Sequence, residues 1–179
     1  MMKKNTKLST LNTQFSFWHP ASLICTCFGV GKIPFAPGTW GSLAGVVLAF
    51  FLLPYIGLLI LPLFLIGWYC SNIYEKKTGQ HDLGEIVVDE VVGQWITIQV
   101  GFLLAMKFEL NPYLTELCGF CFLIKYAIFF FTFRFFDIIK PWLIGWVDKN
   151  VGGGLGVMLD DVLAGIAAGI TSALIFWML

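Results

Sequence analysis

Long apolar runs separated by short stretches rich in charge, glycine or proline set the pattern of the chain. Residues 1–16 are polar and begin with Lys3, Lys4 and Lys7, whereas residues 17–28 turn aromatic and apolar. That second segment is shorter than the roughly 20 residues a helix needs to cross a bilayer. Trp18 and His19 predict that it lies at the headgroup level. Residues 29–42 hold five glycines or prolines in their first ten positions, which excludes a regular helix over that length. Residues 43–70 then form an apolar run of 28, interrupted by Pro54, Gly57 and Pro62. Such a run is long for one crossing and short of the roughly 40 residues that two need. A hairpin of two shortened helices turning near Pro54 to Gly57 is the favoured reading. It puts Lys32, Lys76 and Lys77 on one side with the N-terminal lysines; a single long crossing is the alternative.

The remaining pattern predicts a spanning helix over Glu85–Ala105 that carries charge in its first two turns, then a short far-side loop at 106–116. A return crossing over Leu117–Phe136 follows, with Lys125 near its middle. Residues 137–159 read as a polar loop and Asp160–Leu179 as a last crossing. The expected fold is all-α: a polytopic membrane helical bundle with a shortened or re-entrant hairpin. Residues 1–16 form a polar tail and 17–179 one membrane-embedded domain.

Composition sharpens this picture. The chain has 179 residues, 58% of them hydrophobic and 12% charged. Its mean hydropathy is +0.83. A soluble domain is about a quarter charged, so this is the composition of an integral membrane protein. A net charge of zero without a basic patch gives no reason to expect a nucleic-acid partner. The five cysteines lie in apolar surroundings, and the Cys118–Cys121 pair has no second pair to complete a zinc site, so they read as structural. The basic start lacks a compact apolar core and does not read as a cleaved signal peptide. Gly31 and Lys32 lack the spacing of a phosphate-binding P-loop.

Charge placement carries the chemistry. Eight of the eleven acids fall in two stretches that abut apolar segments: Asp82, Glu85, Asp89 and Glu90, then Asp137, Asp148, Asp160 and Asp161. In a helix over 81–105, Glu85 and Asp89 share one face, with Asp82 a turn earlier. Like charges so placed beside a bilayer need a wet cavity, a cation or both. Oxygen donors without clustered cysteine or histidine point to magnesium. Asp160 and Asp161 offer a second carboxylate site, the alternative being a cap at the start of the last helix. Arg134 and Asp137 share a helical face, either as a structural ion pair or with Asp137 on metal and Arg134 on phosphate. Lys140 suits phosphate or a lipid headgroup. Gly152–Gly154 would let backbone amides approach an anion, or form a tether. His81 is a candidate proton shuttle or a cap.

Four stretches also occur together in one order: GVGKIPFAPGTWGSLAG (29–45), HDLGEIVVDEVVGQW (81–95), FRFFDIIKPW (133–142) and DKNVGGGLGVMLDDVLAGI (148–166). In these the chain resembles the phosphatidylglycerophosphatase A family of magnesium-dependent bacterial membrane phosphatases. The resemblance implies a phosphoric monoester hydrolase that converts phosphatidylglycerophosphate into phosphatidylglycerol. It also implies a multi-pass protein of the bacterial inner membrane whose site faces the cytoplasm. The family's polar positions fall on His81, Asp82, Glu85, Asp89, Glu90, Arg134, Asp137, Lys140, Asp160 and Asp161. Metal ligands are expected among Glu85, Asp89, Asp137, Asp160 and Asp161, with Arg134 and Lys140 on phosphate oxygens. Asp82 or Glu90 would accept a proton, and His81 would assist. The alternatives are a phosphatase for another lipid phosphate, or a divalent-cation transporter, which would distribute its acids through the depth of the bilayer.

Overall fold

The computed structural model describes residues 16–79, 83–108 and 119–178, with side chains from 123 onward in the last segment. It is all-α among the described residues. The short α1 (Pro20–Cys25) starts at His19, whose Nδ1 accepts the Ala21 amide, and ends before left-handed Cys27, Phe28 and Gly29. A single 3-10 turn, Val30–Lys32, leads to α2 (Pro37–Leu52), which opens with proline at its first position. The 28-residue apolar run breaks at 53–55, around Pro54, and α3 (Ile56–Thr78) follows, passing through Pro62. Gly79 ends α3 in the left-handed conformation (φ 70°), donating to the Glu75 carbonyl, while Lys76 and Lys77 face the negative end of the helix dipole. The chain continues with α4 (Val88–Lys107), α5 (Gly119–Ile139), α6 (Leu143–Asn150) and α7 (Gly153–Met178).

Among the described residues, α3, α4 and α7 are long and apolar enough to cross a membrane, and α2 is a shorter apolar helix. The chain is a multi-pass membrane protein. Leu58, Leu61 and Tyr69 of α3 and Leu174 and Trp177 of α7 point outward, as lipid-facing residues do. By contrast, α4 is interior: every residue from Val91 to Ile98 is buried.

Helix α4 is the axis on which α2, α3, α5 and α7 pack. Its closest neighbour is α7, and glycine makes that closeness possible. A Cβ on Gly165 would lie 2.5 Å from the Gly93 carbonyl oxygen and 3.1 Å from Cβ of Ile96. One on Gly169 would lie 2.7 Å from Cβ of Val100. Small residues that let backbones touch are the usual adhesive between membrane helices, because lipid offers no hydrophobic drive to associate them.

The paired positions also set direction. Positions 93 and 165, then 100 and 169, climb together, so α4 and α7 run the same way. So does α2, with Gly41 on Val87 and Gly45 on Val91 and Gln94. Helices α3 (Gly57 on Gln99, Gly67 on Val88) and α5 (Phe133 on Gly93, Phe129 on Gly101) run against α4. The starts of α2, α4 and α7 and the ends of α3 and α5 therefore meet at one end of the bundle. At the other end Phe102, Tyr126, Phe129 and Phe176 pack edge to face.

Two boundaries differ from expectation. Helix α4 starts at Val88 rather than Glu85, because residues 83–87 turn and the Val87 amide donates to the Cys25 carbonyl at 2.8 Å. Glu85 and Asp89 consequently do not share a helical face. Helix α7 starts at Gly153, seven residues ahead of the expected Asp160, so both aspartates lie inside the helix and cannot cap it. The last glycine of the triplet serves packing here: a Cβ on Gly154 would meet the Asn72 amide at 2.6 Å and the Trp68 carbonyl at 2.7 Å.

If the α4–α7 contact governs the fold, Gly165→Ala lowers stability by about 1–3 kcal/mol through overpacking against backbone. Thermal unfolding in detergent should show a midpoint several degrees lower. Gly152→Ala, where a Cβ meets nothing within 4 Å, should leave it unchanged.

Candidate metal and phosphate site

The polar end of the bundle gathers carboxylates from α4 and α7. Asp89 and Glu90 stand in the first turn of α4, and Asp161 stands in α7 one helical turn before Gly165. Their nearest carboxylate oxygens all lie within 4.8 Å of one another, and Asp89 and Asp161 are only 7% and 4% exposed. The glycine contact explains the meeting: a Cβ on Gly93, one turn beyond Asp89, would lie 2.8 Å from the Asp161 carbonyl oxygen. Three carboxylates so close and so buried repel one another unless a cation or protons compensate them. Glu90 Oε2 is buried with no hydrogen-bond partner. An orphaned carboxylate oxygen beside two more carboxylates fits a hard cation bound through oxygen.

Around this group the other charges are tied together. Asp137 forms an ion pair with Arg134 one turn earlier on α5, and it lies within electrostatic reach of both Glu90 and Asp161. The Arg134 guanidinium also donates to Ser42 Oγ (3.2 Å), and Ser42 Oγ donates to the Gly38 carbonyl (2.9 Å). Gly38 packs directly on this pair: a Cβ there would run into Glu90 Oε1 and lie 3.2 Å from an Arg134 nitrogen. Arg134 Nε is buried without a partner.

A model of the phosphatidylglycerophosphatase A family matches residues 23–176. The chain belongs to the phosphatidylglycerophosphatase A family. It is 38% identical over 172 residues to phosphatidylglycerophosphatase A of Haemophilus influenzae, covering 93% of this chain and 95% of that one. It is 38% identical over 158 residues to the Escherichia coli protein of the same name, covering 86% and 80%. A Bacteroides thetaiotaomicron relative, 37% identical over 166 residues (88% and 94% covered), carries the provisional name phosphatidylinositol-3-phosphatase. No solved structure matches the chain.

Other expected site residues of this family member stand apart from the three-carboxylate group. Glu85 accepts a hydrogen bond from the Tyr74 hydroxyl (2.7 Å). Asp160 accepts the Asp161 amide (3.0 Å) and pairs with Lys140 at 2.6 Å. Lys140, between α5 and α6, also pairs with Asp148 at 2.5 Å, so it braces α6 and α7 rather than standing free. Burial works against the Lys140 ammonium, yet its hydrogen bonds to Asp148 and Asp160 hold its pKa above the ordinary lysine value. His81 and Asp82 lie outside the described residues, as do the polar tail to residue 15, most of the 106–116 loop, Cys118 and the Cys121 side chain. Burial pushes the Cys25 and Cys27 thiols up to about 12, which leaves them protonated and poor ligands at neutral pH. Ser42 and Tyr74 have no role in the sequence pattern, and the Pro- and Gly-rich 34–41 segment holding Gly38 suits a lid or entry and apolar packing against the hairpin equally well. The signal was the spacing of Gly38, Ser42 and Gly45, which share one face of α2.

Lys140→Met should lower stability by about 1–3 kcal/mol, less than for a fully buried pair, because the Lys140 and Asp148 side chains are 28% and 30% exposed. Adding Asp160→Asn removes the more buried of the two stranded charges, and unfolding of the double variant should show part of the loss recovered.

Proposed function

We propose that this protein is a magnesium-dependent phosphatidylglycerophosphatase that removes the terminal phosphate of phosphatidylglycerophosphate. The observation that carries the reading is the convergence of Asp89, Glu90 and Asp161 beside Arg134, at the end of the bundle where α2, α4 and α7 start and α3 and α5 finish. Asp89, Glu90 and Asp161 would hold the metal. Bound there, magnesium supplies charge neutralisation on the phosphate and a more acidic water. Arg134, fixed by Ser42 and Asp137, meets the non-bridging phosphate oxygens and stabilises the charge that grows on them in the transition state. Asp137 extends the acidic wall. Asp160 and Lys140 set the position of Asp161 and of the turn that carries them, and Glu85 anchors the loop before α4 through Tyr74. Asp82 and His81, just ahead of that loop, are the proposed proton acceptor and its assistant.

The membrane placement follows from charge. Lys32, Lys76, Lys77, Lys140 and Lys149 all sit at or beside the acid-bearing end, whereas Lys107 ends α4 at the other. By the positive-inside tendency the acid-bearing end faces the cytoplasm of the bacterial inner membrane. On this placement α2 and α3 enter and leave on that side as a hairpin in which only α2 is short, α3 being long enough to cross, within a single domain over 17–179. Acids gathered at one end favour a surface-facing enzyme over a cation path, which needs polar groups through the bilayer. The Bacteroides relative keeps another phosphomonoester lipid as the second reading.

Phosphate release from the purified protein tests this reading. Phosphatidylglycerophosphate should be hydrolysed with magnesium and not without it, and in preference to phosphatidic acid or an isoprenyl phosphate. Arg134→Lys should lose about 10²-fold in kcat, the scale for removing one electrostatic stabiliser. Asp161→Asn should lose at least as much while staying folded; unaltered activity would reject its assignment as a ligand.

A further inference from the structure

Beside the acid site lies an apolar groove of about 550 Å³, within the roughly 300–1,000 Å³ range of ligand pockets. It is lined by Trp40, Ala44 and Leu48 of α2, Leu63 of α3 and Val91 of α4, together with Ile33. Every lining residue is apolar or weakly polar. Between helices that lie in lipid, such a groove takes hydrocarbon.

Its position says which hydrocarbon. Val88 and Val91, both on the groove, bracket Asp89 and Glu90 in the same turn of α4, so groove and acid group lie on different sides of one helical turn. Across from them Trp40 is two residues from Gly38, which touches Glu90 and Arg134. The rim carries a cation. Lys32 is exposed between Val30 and Ile33, two lining residues, and its ammonium lies 5.1 Å over the Phe17 ring. A lipid with a phosphodiester between its diacylglycerol and a terminal phosphate fits this order of apolar groove, cation and metal site.

We propose that the groove binds one acyl chain of the lipid substrate, with Lys32 meeting the phosphodiester while the terminal phosphate reaches Arg134 and the carboxylates. The inference rests on the phosphatase reading and adds a subsite that selects for an acylated substrate. Ala44→Trp would fill the groove. Leu174→Trp fills a separate apolar hollow, beside Leu104, Phe108 and Trp177 at the far end of α4 and α7, and serves as the control.

The experiment compares dioleoyl phosphatidylglycerophosphate in mixed micelles with its deacylated headgroup, glycerophosphoglycerophosphate. Wild type should show a kcat/KM at least tenfold higher for the dioleoyl lipid. Ala44→Trp should lose most of that preference through KM while hydrolysing the headgroup as wild type does, and Leu174→Trp should change neither. A wild type that shows no preference for the acylated substrate, or an Ala44→Trp that keeps it, overturns the groove assignment. A wild type inactive on both substrates counts against the phosphatase reading itself. Photolabelling of wild type with a diazirine-tagged acyl chain gives a readout that needs no variant. Labels on residues 40–48 and 88–95 support the subsite, and labels confined to the outer face of α3 overturn it.

Discussion

Backbone contact between α4 and α7 is the constraint on which the rest of the structure depends. Gly93 and Gly165 let the two helices meet with no side chain between them, and one turn nearer the polar end the same approach brings Asp89 to Asp161. Bulkier residues at either glycine would separate the helices and, with them, the carboxylates. Packing and chemistry are therefore one feature: the contact that holds the bundle together in a solvent without hydrophobic drive also assembles the acids. Buried carboxylates this close are unfavourable alone and call for compensation by protons or by a cation, which is what the proposed metal would supply.

The remaining charges keep that cluster in register. Arg134 links α5 to α2 through Ser42 and stays beside Glu90 by way of Gly38, so the cationic group approaches the carboxylates without capturing Glu90. Lys140 ties the turn after α5 to α6 and α7 through Asp148 and Asp160. Its own backbone (φ 46°) and that of Trp142 (φ 45°) adopt the left-handed region that side chains disfavour. The double ion pair compensates for that turn. The starts of α2 and α7 are fixed by close glycines and the end of α5 by charge partners, which suits a site whose electrostatics are set in advance.

Much of this was legible in the chain. Two acid-rich stretches beside apolar runs marked the polar end, because few other positions in so apolar a chain tolerate charge. Pro54 within the 43–70 run marked the break between α2 and α3, and the spacing of Arg134 and Asp137 marked their pairing. What the sequence could not show depends on long-range contacts. Residues 83–87 leave the helix because Val87 bonds to Cys25, far away in sequence, and this moves Glu85 off the Asp89 face. Helix α7 begins at the triple glycine because Gly154 nests against Trp68 and Asn72 of α3, and this carries Asp160 and Asp161 into the helix. Those two shifts send Glu85 to Tyr74 and Asp160 to Lys140, and leave Glu90 to complete the cluster.

The central claim is that side chains from α4 and α7 share one cation, and metal binding measured apart from turnover tests it most directly. Manganese titrated into the purified protein in detergent, followed by electron paramagnetic resonance, should show saturable binding displaced by magnesium. That binding should vanish when either Asp89 or Asp161 becomes asparagine while the helical content is unchanged. Equal manganese binding by wild type and both variants would contradict the account.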